Sequence, residues 1–82
     1  MVEIIFDSKF KHIFSKIKDK ETKNKIITQI EKIKANPEVG KPMMYGRKGT
    51  RDLYIPPFRL SYEYVVLENK VYMLDLYHKK LQ

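Results

Sequence analysis

Pro56-Pro57-Phe58-Arg59-Leu60-Ser61-Tyr62-Glu63-Tyr64, followed after a short turn by Val71-Tyr72-Met73-Leu74-Asp75-Leu76-Tyr77-His78-Lys79-Lys80, decides the reading of this chain. Both runs are rich in aromatic and aliphatic residues, as strands are. Each also carries a cation where a half-buried sheet would take an apolar or neutral residue: Arg59 in the first, Lys79 and Lys80 as the second runs out. Glu68-Asn69 between the runs predicts a tight hairpin turn, with Asn able to take the left-handed conformation. Pro56-Pro57 supplies no ladder donors, so a kinked corner at a sheet edge precedes the middle strand.

Working outward, Arg51–Ile55 reads as a further strand, with the two long ones at Phe58–Leu67 and Lys70–Tyr77. Val2 to Phe6 is a short β-branched and aromatic run, also a strand. Asp7 or Ser8 can cap the helix that follows. Phe10, Ile13, Phe14 and Ile17 recur at helical spacing and share one face. Ile26, Ile27, Ile30 and Ile33 form the stripe of a second helix, which Asn36-Pro37 ends. So short a connection predicts an antiparallel helical hairpin. Glu38 to Gly49, with Gly40, Pro42, Gly46 and Gly49, reads as an irregular connection. The expected order is β-α-α-β-β-β, an α+β domain spanning 1–82 with the hairpin on one face of a small, mainly antiparallel sheet.

Alternation along a strand sorts side chains between the two faces. Leu53 and Ile55 should point to the helices, leaving Asp52 and Tyr54 on the open face. In the middle strand Leu60, Tyr62, Tyr64 and Val66 form the core set, and Arg59, Ser61, Glu63 and Val65 the open one. In the last strand both parities are partly apolar, so its register stays open. The expected core packs Phe10, Ile13, Phe14, Ile17, Ile26, Ile30 and Ile33 on Leu53, Leu60, Tyr62 and Leu74. Arg59 then sits beside Tyr54 on the open face, and Arg47, Lys48 and Arg51 approach from the preceding loop. A bland alternative is a surface ion pair of Arg59 with Glu63 or Asp75 and plain solvation of the lysines.

The chain has 82 residues and a net charge of +7. A domain this small buries only about 60–65% of its unfolded surface, so a binding partner or an adapted core has to support it. It has no cysteine for disulfides, and His12 and His78 are too few for a zinc cluster. No stretch has the roughly 20 apolar residues of a membrane span. The N-terminus is too short and too acidic for a signal peptide. These features suit a cytoplasmic protein whose charge favours nucleic acid, an acidic protein, or both.

In order and spacing, these pieces resemble the RelE/ParE superfamily of toxin–antitoxin toxins. The resemblance runs over nearly the whole chain. It takes in the basic first helix, the hairpin closed by Asn36-Pro37, Gly40-Lys41-Pro42, Gly46, and Arg51-Asp52-Leu53-Tyr54. It continues through Phe58-Arg59-Leu60-Ser61-Tyr62 and His78-Lys79. The resemblance implies a RelE-like ribosome-dependent endoribonuclease. Such a toxin enters the A site and cuts mRNA with the 2′-hydroxyl as nucleophile, leaving a 2′,3′-cyclic phosphate. It also implies a cognate acidic antitoxin of RelB kind, in a heterotetramer or larger complex, with no cofactor, metal or membrane. By position, Arg59 matches the phosphate-stabilising arginine and Lys79 the cation ending the last strand, with His78 and Tyr77 beside it as catalytic candidates. Arg47, Lys48, Arg51, Tyr54 and Lys80 are the RNA-binding candidates.

Two departures stand out. The functional tyrosine a few residues after the His-Arg pair has no match after His78; Tyr77, Tyr54 or Tyr62 could replace it. Open-face lysines of the preceding strand are replaced by Asp52 and Tyr54. The rival readings are a ParE-like toxin that inhibits DNA gyrase without nuclease chemistry and a small basic RNA-binding domain.

Overall fold

The protein is described from a computed structural model, which places residues 1–42 and 49–78. In chain order the elements are β1 (Glu3–Phe6), α1 (Ser8–Lys16), α2 (Lys20–Ala35), β2 (Lys41–Pro42), β3 (Thr50–Ile55), β4 (Phe58–Val65) and β5 (Lys70–His78). The five strands form one sheet in the order β1-β5-β4-β3-β2. β1 runs parallel to β5, and the other pairs are antiparallel.

Both helices begin at aspartate caps. Asp7 accepts from the Lys9 amide at 2.9 Å, and Asp19 accepts from the Glu21 amide at 3.2 Å and the Thr22 hydroxyl at 2.6 Å. The Thr22 hydrogen bond is the main reason the Asp19 carboxyl lies below its ordinary pKa. α1 packs on β5 and α2 on β3. Phe10, Ile17, Ile26 and Ile33 are buried from the helical side, against Ile55, Leu60, Tyr62, Val71, Met73 and Leu76. Ile13, Phe14 and Ile30 line the margin of this core. Ile27 departs from the expected stripe, being 46% exposed.

The open question in β5 is settled by a bulge. Ser61 pairs with Asp75 and Tyr62 with Met73, so Leu74 has no partner opposite it. The extra residue inverts the alternation. Val71 and Met73 point inward on one side of the bulge and Leu76 on the other, all three fully buried. Leu74 is therefore only half-buried, and Leu76 takes the core place expected of it. β4 also ends earlier than the sequence suggests. Val66 lies in a 3₁₀ turn, Val66–Glu68, and is 67% exposed, so it is not part of the core set. Asn69 closes that turn with φ 55°, the expected left-handed conformation.

The connection after α2 is more ordered than its composition implies. Tyr62, fully buried, donates from Oη to the Pro37 carbonyl at 2.8 Å and accepts from the Gly40 amide at 2.8 Å. A Cβ on Gly40 would lie 2.6 Å from Tyr62 Oη and 2.8 Å from Cε1, so only glycine fits against the ring. β2 follows at once as an edge strand, where Pro42 does no harm.

Candidate nucleic-acid interface

β4 makes the site because its alternation is strict. Leu60 and Tyr62 are fully buried under the helices, so Arg59 and Ser61 must face the other way. The register then builds rows across the sheet. Arg59 stands opposite Tyr54 of β3 and Tyr77 of β5. The Arg59 guanidinium carbon lies 5.8 Å from the Tyr54 ring centroid, within cation–π reach. In the adjacent row Lys41, Asp52, Ser61 and Asp75 follow one another from β2 to β5.

Arg59 pairs with neither Glu63 nor Asp75. Its Nη1 donates to Asp52 Oδ2 at 3.5 Å, a long contact, with side-chain exposures of 27% and 9%. Asp75 instead meets Lys9 Nζ at 3.1 Å and accepts from the Leu76 amide at 2.8 Å. The partner was findable. The two-residue Pro56-Pro57 corner sets Ile55 opposite Phe58, which puts Asp52 on the diagonal from Arg59 on the same face.

Other candidate residues are dispersed. Arg51 lies in β3, but its register partner is Tyr62, so it belongs to the helix-facing side. Its Nη1 donates to the carbonyls of Gly40 at 2.8 Å and Glu38 at 3.0 Å, and Nη2 lies 3.7 Å from the Glu38 carboxylate. That guanidinium fastens the 37–40 turn to the sheet and is turned away from Arg59. His78 is paired with Phe58, one row beyond Arg59 and of opposite parity to Tyr77. Its ring meets Phe58 edge-on at 5.6 Å. Arg47, Lys48, Lys79 and Lys80 lie outside the described residues. The structure thus brings together Arg59, Tyr54 and Tyr77, and adds Asp52.

The far end of this face has a different character. Glu63 stands opposite Thr50 and Tyr72. Tyr72 Oη donates to Glu68 Oε1 at 2.6 Å, and this bond chiefly raises the phenol above its ordinary pKa. Burial raises that of Tyr62 on the opposite side of the sheet. Among the described residues no three His, Cys, Asp or Glu side chains cluster as metal ligands, and no helix is long and apolar enough to cross a membrane. On the helical side, Phe6, Phe10, Phe14, Ile27 and Ile30 line an apolar groove of about 400 Å³.

Two helices over one face of a five-stranded sheet, as found among the described residues, is a fold shared with solved RelE toxins. The toxin in the intact Escherichia coli RelBE toxin–antitoxin complex superposes with a TM-score of 0.81 at 12% identity, covering 93% of this chain and 94% of that one. A chain of the Mycobacterium tuberculosis RelBE2 complex gives 0.81 at 19%, covering 95% and 98%. A YoeB/ParE toxin from Agrobacterium tumefaciens gives 0.81 at 14%, covering 94% and 98%. No curated protein matches the sequence. The family model for the ParE toxin of the parDE type II toxin–antitoxin system matches residues 4–81, and the chain belongs to that family.

Proposed function

We propose that this toxin is a ribosome-dependent endoribonuclease that cleaves mRNA in the A site and arrests translation. The observation that carries the reading is Arg59, held near the start of the middle strand β4 between Tyr54 and Tyr77 on the helix-free face. Attack of a 2′-hydroxyl on the adjacent phosphate builds negative charge on phosphorus. A guanidinium held by a sheet offers preorganised donors to that charge, usually the largest catalytic term. The flanking phenol rings suit stacking on unpaired bases. Lys79 and Lys80, directly after β5, and Arg47 and Lys48, shortly before β3, would add charge for the RNA backbone. Arg51 is committed to the 37–40 turn and supports the site only as scaffold. His78 serves at the end of β5 as a positioning residue through its contact with Phe58.

The partners in this reading are mRNA on the ribosome and an acidic RelB-like antitoxin, assembled with the toxin as a heterotetramer or larger complex in the cytoplasm. The apolar groove of Phe6, Phe10, Phe14, Ile27 and Ile30 is the seat for an apolar antitoxin segment, and the +7 charge favours an acidic one. Incubating the toxin with programmed ribosomes and mapping 3′ ends tests the reading; a codon-positioned cut ending in a cyclic phosphate is expected. A second reading, gyrase inhibition without nuclease chemistry, draws support from the ParE family match. A supercoiling assay separates the two: inhibition of gyrase with intact mRNA would replace the first reading by the second.

A further inference from the structure

Asp52 is used by nothing described so far except one long contact. Its side chain is 91% buried on the helix-free face, yet only Oδ2 reaches Arg59. Among the described residues Asp52 Oδ1 has no hydrogen-bond partner, and neither has Arg59 Nε. Both atoms are buried, so each bears a desolvation penalty that no bond offsets. One is an acceptor and the other a donor, and they belong to the same ion pair. A group that satisfies both must carry a hydrogen-bond donor next to an acceptor, and an anionic acceptor suits the guanidinium best. A ribose 2′-hydroxyl beside its 3′-phosphodiester has this chemistry. A deoxyribose phosphate lacks the donor.

We propose that Asp52 is the catalytic residue that takes the proton from the attacking 2′-hydroxyl, while Arg59 donates to the phosphate. The proposal rests on the endoribonuclease reading. The Asp52 carboxylate accepts the hydroxyl proton as the 2′-oxygen bonds to phosphorus. The bond from phosphorus to the 5′-oxygen breaks, and that oxygen takes a proton from water. The hydroxide so formed recovers the proton from Asp52, leaving a 2′,3′-cyclic phosphate, a 5′-hydroxyl and the carboxylate as it began. The Tyr54 ring, 49% exposed, lies 5.8 Å from the guanidinium, and the proposal requires it to turn outward to admit the nucleotide. A carboxylate in this place stands apart from the cations and tyrosine expected by resemblance.

The test compares wild type with Asp52→Asn on programmed ribosomes, with melting curves recorded for both. Cleavage should fall by about 10²–10⁴-fold, the usual range for loss of a general base. Association with ribosomes carrying mRNA with a 2′-deoxy residue at the scissile position should persist. If Asp52→Asn does not fold, Asp52→Glu is compared with Asp52→Gln, a pair matched in size, and only the carboxylate variant should cleave. Equal rates within either pair overturn the assignment and leave the endoribonuclease reading standing. A wild-type protein that cuts no ribosome-bound mRNA overturns both.

Discussion

The two ends of the helix-free sheet face are made from the same kinds of residue and have opposite characters. At the Pro56-Pro57 end, the row Tyr54–Arg59–Tyr77 sets a cation between two phenols. At the β4–β5 turn, Glu63 and Glu68 stand around Tyr72, raise its pKa and hold its hydroxyl. Arg59 and Glu63 are four residues apart on one strand, about 13 Å at strand rise. Screening at physiological salt acts over about 8 Å. The two ends therefore act as separate local fields, and the net charge of +7 describes neither. On the endoribonuclease reading, RNA would be held at one end while its continuation is turned away from the other.

The sharpest way to break this contrast is Arg59→Ala. Cleavage should drop about 10²–10³-fold, as on loss of one transition-state donor, whereas Glu63→Gln at the far end should leave cleavage near wild type. Equal effects from the two would show that bulk charge, not the row, does the work. Arg59→Ala should also lower stability by ~1–3 kcal/mol, because Asp52 is left buried without a partner. Adding Asp52→Asn should return much of that loss in urea melts.

Gly40→Ala probes the opposite face. The added methyl meets the buried Tyr62 ring, so overpacking should cost about 1–3 kcal/mol, with cleavage per folded molecule preserved. A smaller effect is alkaline. Tyr62 has a folded pKa above its unfolded value of about 10. Its contribution is complete below the unfolded pKa and is lost as pH rises towards the folded one. Tyr62→Phe should flatten that alkaline fall in stability. Smallest of all, Glu68→Gln should bring the Tyr72 phenol closer to its ordinary pKa in an ultraviolet titration, without altering cleavage.

The fold was legible wherever local chemistry and pattern agreed. The α1 stripe, the Asn36-Pro37 stop, the left-handed Asn69 and the buried parity of Leu60 and Tyr62 all follow from spacing and backbone preference. Leu74 misled because both parities of β5 are apolar, and a bulge leaves no mark in such a run. β2 escaped notice because two residues carry no period. In the site, alternation was enough to present Arg59 and Tyr54 together. Arg51 could not be assigned from its charge, since its bonds go to backbone carbonyls of a turn eleven and thirteen residues upstream. Asp52 required the register of the hairpin as well as its faces.

The bulge at Leu74 separates two duties of one strand. It divides β5 into a half that answers to the core and β1, through Val71 and Met73, and a half that ends beside Arg59, through Asp75 and Tyr77. Because the spare residue absorbs the phase difference, mutation can retune the terminal half without renegotiating the packing of the first. Substitutions at Asp75 and Tyr77 would then change the helix-free face while Val71 and Met73 keep the same interior.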